Sequence, residues 1–365
     1  MIVRFEKGKQ QMMTLRSFKK GLASVPMATA WSLTELGQAV GRQELFTRQS
    51  PQRLRALREH ALIESAVSSN RIEGVEVDAK RVGTLVFGRA ALRDRDEEEV
   101  RGYRDALNLI HTQGAKLQMS EKTIRDLHRL ARGSVWDAGQ YKQKDTDIIE
   151  RFADGRERVR FRPTRAKRTP AAMAELTELW TDCLRERWVP PLVAVAAFNL
   201  DFLCIHPFRD GNGRASRLLL LLQCYHAGAE VGRYISLERL IEENKERYYE
   251  TLEQCSTGWH EGKHDPWPFI NYVLWILREA YKEFEYRVGQ TAEPRGAKAA
   301  MVREAVAGHP AEFRLSDIER ACPGVGREWI RRLLAEMREA GEVTCKGRGP
   351  GARWRWLGNK GSTLK

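Results

Sequence analysis

Twelve consecutive residues concentrate the chemistry that this chain could perform. His206-Pro207-Phe208-Arg209-Asp210-Gly211-Asn212-Gly213-Arg214-Ala215-Ser216-Arg217 brings together an imidazole, a carboxylate, a Gly-Asn-Gly turn and two spaced arginines, and an apolar run from Leu218 to Leu222 follows at once. The order reads as a loop that turns into the start of a buried helix. Such a start offers unpaired N–H groups and the positive end of the helix dipole, which together hold anions. Glycines let the backbone curl closely around a phosphate. Arg214 and Arg217 stand three apart, so both project from one helix face. His206, just ahead of the turn, is placed to take a proton from a group attacking the bound phosphate. The local chemistry is a phosphate cradle with a base beside it.

The elements that must position this loop read as mainly α-helical. Apolar residues at helical spacing predict helices from Ser50-Pro51 through Ile63, over Glu97–Ile110, over Thr123–Ala131, from Thr169-Pro170 to Trp180, and from Pro190-Pro191 to Ile205. Leu237–Leu252 and Pro268–Tyr286 complete a bundle-like set. One region breaks the pattern. Residues 146–150 and 158–162 read as short strands around the turn signal Phe152-Ala153-Asp154-Gly155, a β-hairpin projecting from the helical body.

A composition change at Val288–Lys298 marks a boundary. Beyond it the spacing predicts helices over Ala299–Ala307, Leu315–Ala321 (with Ser316 available as a cap) and Arg327–Ala340, then strands around a basic Lys346–Gly351 loop. Three helices and a basic hairpin look like a winged helix-turn-helix. In such a module Arg327, Arg331, Arg332, Lys346 and Arg348 would be the DNA contacts. The same scaffold serves equally for dimerisation or for docking a protein target. The expected organisation is an N-terminal extension (1–49), a catalytic helical domain (50–288), a linker (289–298), the winged-helix domain (299–357) and a tail (358–365).

The twelve-residue stretch resembles the signature of the Fic (filamentation-induced-by-cAMP) family, His-x-Phe-x-Asp/Glu-Gly-Asn-Gly-Arg-x-x-Arg, with every fixed position filled. Upstream, Ser69-Asn70-Arg71-Ile72-Glu73-Gly74 resembles the family's inhibitory motif, Ser/Thr-x-x-x-Glu-Gly/Asn. The segments Asp126–Arg129 and Arg247–Leu252 also look Fic-like, so the resemblance covers about Ser50 to Tyr286. It implies a Fic helical bundle whose hairpin is a flap that holds the target chain by strand addition, with Ile148 and Ile149 as guesses for the contacting residues. It implies a protein adenylyltransferase that moves AMP from ATP to a Ser, Thr or Tyr hydroxyl of a protein, itself included. His206 would be the base. Asp210 would hold Mg²⁺, and Gly211 to Gly213 with the Asn212 side chain would cradle the phosphates. Arg214 would serve the β-phosphate and Arg217 the γ-phosphate. Tyr248 would border the adenine pocket, where Ser256 replaces an asparagine common in the family. Glu73 would restrain the enzyme by pairing bidentately with Arg217. Removal of AMP from a modified protein, with Glu73 positioning a water, is an alternative on the same fold. A DNA-binding regulator with a nucleotide-sensing Fic body is another.

Charge and composition bound the remaining classes. The 365 residues are 42% apolar and 30% charged, and no run approaches the eighteen apolar residues of a membrane span. The net charge is +13; residues 295–365 hold 15 Lys/Arg against 8 Asp/Glu, a basic tail suited to polyanions. Six scattered cysteines without a Cys-x-x-Cys pair read as reduced thiols in a cytoplasm. Paired winged helices make a homodimer an expectation as well. His260-Glu261-Gly262-Lys263-His264 matches the zincin pattern His-Glu-x-x-His, which works only on a helix. Gly262 inside it and Pro266 and Pro268 after it argue for a solvated loop instead.

Overall fold

Helical periodicity becomes fifteen α-helices and two antiparallel two-stranded sheets among the described residues. The structure is a computed structural model that describes residues 13–21, 24–47, 51–88, 91–151, 155–289, 297–309, 311–322, 325–347 and 349–357. The hairpin tip (152–154), most of the expected linker, Arg348 and the tail lie outside these ranges. In chain order the elements are α1 (Thr14–Lys19), α2 (Met27–Thr47), α3 (Pro51–Ile72), α4 (Ala79–Phe87), α5 (Arg95–Gln113), α6 (Glu121–Arg132), β1 (Ile148–Arg151), β2 (Glu157–Phe161), α7 (Thr169–Glu186), α8 (Pro191–Ile205) and α9 (Asn212–His226). Then follow α10 (Leu237–Glu243), α11 (Lys245–Ser256), α12 (Trp267–Gly289), α13 (Ala297–Ala307), α14 (Leu315–Ala321), α15 (Arg327–Glu339), β3 (Val343–Lys346) and β4 (Arg353–Trp356).

Helices α8 and α9 form the centre. Almost every residue of each is buried: α8 is apolar nearly all round, the pattern of a helix with no solvent face, whereas α9 opens on buried polar and charged residues before its Leu218–Leu222 run. Pro190-Pro191 opens α8, where a missing N–H costs nothing. Helices α5 and α6 flank α9 and cross closely. Gly102 makes that crossing possible, because a Cβ built there would stand 2.2 Å from the Leu130 carbonyl oxygen. Ser120 caps α6 by accepting from the Thr123 N–H (3.2 Å).

The N-terminal segment is part of this core. Met13, Leu15, Phe18 and Leu36 are buried in the same apolar cluster as α8 and α9. Asp201, inside α8, accepts from the Thr14 N–H (2.8 Å), the Leu15 N–H (3.0 Å) and the Trp259 indole N–H (2.7 Å). A carboxylate from the central helix thus caps α1.

Two expectations change. The predicted single helix over Leu237–Leu252 is broken at Asn244, whose backbone leaves the helical region (φ −122°, ψ 33°) and whose side-chain amide donates to the Leu240 carbonyl (2.9 Å). The start of α14 is closed not by Ser316 but by Asp317, whose carboxylate accepts from the Arg314 N–H (2.8 Å). The hairpin forms between β1 and β2, pairing Ile149 with Val159 and Glu150 with Arg158, with an irregularity between Ile148 and Ile149. Residues 297–357 carry a second apolar cluster that includes Val302, Phe313, Ile318, Ile330, Leu334 and Val343. Phe313 exchanges two backbone hydrogen bonds with Trp354 (2.8 Å each), which fastens the β3–β4 hairpin to the helices.

Gly102→Ala should lower the unfolding free energy by about 1–3 kcal/mol, the usual cost of overpacking, read from the urea midpoint. An unchanged midpoint would show that α5 and α6 can separate freely.

Candidate functional site

The twelve-residue stretch is a tight loop between α8 and α9. His206 ends α8 in the left-handed region (φ 51°, ψ 62°), a conformation that costs a non-glycine residue about 1–2 kcal/mol. It is held by its own N–H, which donates to the Phe202 carbonyl (2.9 Å). Phe208 anchors the loop: it is fully buried and stacks on His128 with ring centres 3.7 Å apart and planes 5° apart. Gly139 N–H donates to His128 Nδ1 (2.9 Å), so the other nitrogen carries the proton and donates to the Asp210 carbonyl (2.9 Å). Burial pushes the His128 pKa down to about 4, which keeps that pattern fixed at neutral pH.

Asn212 differs from its expected role. Its amide accepts from the Phe208 N–H (2.9 Å) and donates to the Phe208 carbonyl (2.8 Å). The side chain therefore closes the loop from inside. The glycines are required by close approach. A Cβ on Gly211 (φ 79°) would meet Arg132 Cδ at 2.7 Å, and one on Gly213 would meet Glu73 Oε1 at 2.2 Å. The first-turn N–H groups of α9 have no partner within the helix.

Each charged group of the loop has an internal counterion. Arg214, 2% exposed, donates to Glu99 and to Asn70 Oδ1 (3.1 Å). Glu99, also buried, accepts further from Arg132 (2.5 Å) and Arg95 (2.9 Å). Arg132 in turn pairs with the exposed Asp210 carboxylate (2.9 Å). Arg217, 3% exposed, donates Nε–H to Ser69 Oγ (2.8 Å) and Nη2–H to both the Ser69 carbonyl (2.9 Å) and Glu73 Oε1 (2.8 Å). The contact with Glu73 is thus a single hydrogen bond, not the expected bidentate pair, because Ser69 takes the rest of the guanidinium's inner edge. Arg217 Nη1 is buried without a partner. Burial works against the Arg217 charge, and Glu73, Tyr103 and Tyr248 outweigh it.

The His206 imidazole is pushed down to about 4, first by burial and then by the nearby Lys142 charge, against the opposing pull of the Leu203 backbone, Glu73 and Asp210. It is neutral at physiological pH and able to accept a proton.

Tyr248 is a core residue, packed against Tyr249, Phe269 and Tyr272 with ring centres 5.3–6.1 Å apart. Its half-buried neighbour Tyr249 has Arg160 of β2 above its ring (5.3 Å). Ser256 Oγ donates to the Glu253 carbonyl (3.0 Å). Ile148 and Ile149 lie on β1, with Ile149 and its partner Val159 about half exposed. The β1–β2 hairpin is fastened to α11 through β2: Arg160 donates to the Tyr249 carbonyl, and Arg158 pairs with Glu253 (2.7 Å).

Elsewhere, Arg327 pairs with Glu319 (3.0 Å) and Arg331 with Glu328 (3.1 Å), while Arg332 and Lys346 are exposed. The His-Glu-x-x-His segment is a short 3₁₀ turn with Gly262 left-handed (φ 66°). It is not simply solvated, as expected: His260 stacks on Phe161 and bonds the Arg162 carbonyl (2.7 Å), and His264 bonds Thr14 Oγ1 (2.8 Å). Among the described residues no three His, Cys, Asp or Glu side chains converge as a metal site. Mg²⁺ does not need one, since it is commonly held by one or two carboxylates together with substrate phosphates. The exposed Asp210 carboxylate fits that use. No helix among the described residues is long and apolar enough to cross a membrane.

Residues 118–224 match the Fic/DOC family. The chain is 24% identical over 229 residues to the Protein adenylyltransferase Fic of Drosophila willistoni, covering 60% of this chain and 41% of the relative. It is 23% identical over 272 residues to the protein of that name from Drosophila persimilis, covering 70% and 49%. It thus spans less than half the length of these curated relatives. A crystal structure of a Fic family protein from Desulfovibrio desulfuricans aligns with a TM-score of 0.60 at 25% identity, covering 94% of this chain and 99% of that one. A Fic domain containing signaling protein from Bacteroides thetaiotaomicron has the same fold (TM-score 0.57, 22% identity, 70% and 97% covered). The signature loop, the helices that hold it and these likenesses agree in placing a Fic/DOC-type domain over residues 118–224 of the chain.

Proposed function

We propose that this chain is a self-restrained protein adenylyltransferase. The observation that carries the reading is the Arg217–Glu73 contact, a buried arginine of the signature held by a carboxylate from the turn after α3. The triphosphate of ATP would lie against the N-terminus of α9, with Arg214 and the free Nη1 of Arg217 facing its outer phosphates. His206 would take the proton of a Ser, Thr or Tyr hydroxyl on the target protein. The hydroxyl oxygen then bonds to the α-phosphorus, and the bond from that phosphorus to the bridging oxygen breaks to release pyrophosphate. Asp210 would hold Mg²⁺, which supplies positive charge to the phosphates.

Glu73 occupies the place where the γ-phosphate would meet Arg217, and two negative groups cannot share it. ATP would then sit with its triphosphate displaced, and a misplacement of about 1 Å can cost on the order of a hundredfold in rate. Glu73→Gly should therefore raise transfer of label from α-³²P-ATP onto the protein by about ten- to a hundredfold, and His206→Ala should abolish it. Equal labelling of wild type and Glu73→Gly would defeat the restraint.

The sign of the pH dependence follows from His206. Its neutral form is the base, so activity should persist below the ordinary imidazole range and fall only as pH drops through about 4. A rate profile of the Glu73→Gly variant that already halves near pH 6.5 would contradict this assignment.

A second reading concerns residues 297–357, where three helices and a hairpin carry exposed Arg332 and Lys346. As a winged helix this unit would bind duplex DNA. The full chain should then shift duplex DNA in a gel with an affinity that falls steeply with salt, and Arg332→Ala should reduce the salt slope by about one. Binding that ignores salt would count against it.

A further inference from the structure

Lys142 lies between α6 and the flap, far in sequence from the signature, yet it is 5% exposed. Its backbone N–H donates to the Pro207 carbonyl (2.9 Å), and its ammonium donates to the Ile205 carbonyl (3.2 Å). These are the two carbonyls on either side of His206. No carboxylate among the described residues forms an ion pair with this ammonium. Asp145 acts on it only at longer range, and the Asp145 Oδ1 accepts from the Ala166 N–H (2.7 Å).

A buried cation without a paired anion is costly. Its setting explains how it survives. The Ile205 carbonyl belongs to the last turn of α8, where carbonyls lack helical partners and the dipole is negative. The ammonium thus sits on the negative end of the central helix, directly beside the base. We propose that Lys142 is a positioning residue for His206: it staples the left-handed turn from both sides and keeps a positive charge against the imidazole so that the ring stays unprotonated.

The groups facing His206 come from three places. Lys142 opposes its protonation, while Glu73 from the turn after α3 and Asp210 from the signature loop favour it. Burial opposes protonation as well, and His206 Nδ1 has no partner. Lys142 is therefore the one charge of the three that holds the base ready. Burial brings Lys142 itself down to about 8, so it is fully charged wherever His206 titrates. The inference deepens the proposed transferase reading but is tested without it.

The test is an NMR titration of the His206 ring in the full chain, with the signal assigned by its loss in His206→Asn. Three variants separate donor from charge. Lys142→Gln keeps a donor without charge, Lys142→Met removes both, and Lys142→Arg keeps the charge. The His206 midpoint should rise by about one unit in Lys142→Gln and Lys142→Met and stay near the wild-type value in Lys142→Arg. An unchanged midpoint in the folded Gln or Met variant would overturn the proposal. So would an equal rise in Lys142→Arg, or failure of both uncharged variants to fold, which would leave Lys142 a purely structural role. If AMP transfer occurs, its acid limb should move with the midpoint. If no transfer is ever detected, the transferase reading fails while the titration still decides the part played by Lys142.

Discussion

A guanidinium that is almost fully buried has to be met on every edge, and Arg217 sets the terms for the site around it. Ser69 and Glu73 stand four apart near the end of α3, so both reach the same point one helical turn apart. Ser69 supplies two neutral acceptors and Glu73 the only charged one in hydrogen-bonding contact among the described residues. Position and charge are thereby separated. Removing Glu73 would leave Arg217 fixed in place by Ser69 but with its charge uncompensated, ready for another anion. Breaking a fully buried pair commonly costs about 3–5 kcal/mol. The Glu73 side chain is 29% exposed, so its loss is cushioned by water. That asymmetry, an arginine sealed in the core and a glutamate at the rim, makes the contact exchangeable.

The rest of the loop is built to stay still. Phe208 is clamped by the His128 ring on its face and by the Asn212 amide on its backbone. The carbonyl of Asp210 is held by His128 and its carboxylate by Arg132. Buried Glu99 ties the buried Arg132 and Arg214 and the partly exposed Arg95 into one cluster, so the positive charges are held in fixed positions. Preorganised charge of this kind needs little rearrangement to stabilise an anion. The network also links α3, α5, α6 and α9, which explains why distant segments of the chain converge on twelve residues.

Much of this was legible in the sequence. The helices over 95–113, 121–132, 169–186 and 191–205 follow from apolar spacing and, for the last two, from the starts at Pro170 and Pro191. The loop's residue types and their order were legible because they are contiguous. What failed to show were partners supplied from far away. Glu99 directly follows the acidic first turn Asp96-Glu97-Glu98 and reads as one more carboxylate near a helix start, so its burial against three arginines leaves no local mark. Asp201 lies in an apolar helix, and two of its three donors come from α1, more than 180 residues away. Asn212 carries two atoms able to face either way, and only packing decides that both turn inward. One signal was available: Glu99 stands four before Tyr103 and seven before Ala106, on a stripe otherwise apolar.

The central claim is that the Glu73 carboxylate and a terminal phosphate compete for the same guanidinium. A crystal structure of the wild-type chain soaked with Mg²⁺ and a non-hydrolysable ATP analogue tests it most directly, with Glu73→Gly alongside. The account predicts that in the wild type Glu73 keeps its bond to Arg217 and the γ-phosphate lies elsewhere, while in the variant that phosphate reaches Arg217. A γ-phosphate seated on Arg217 with Glu73 still in contact would contradict it.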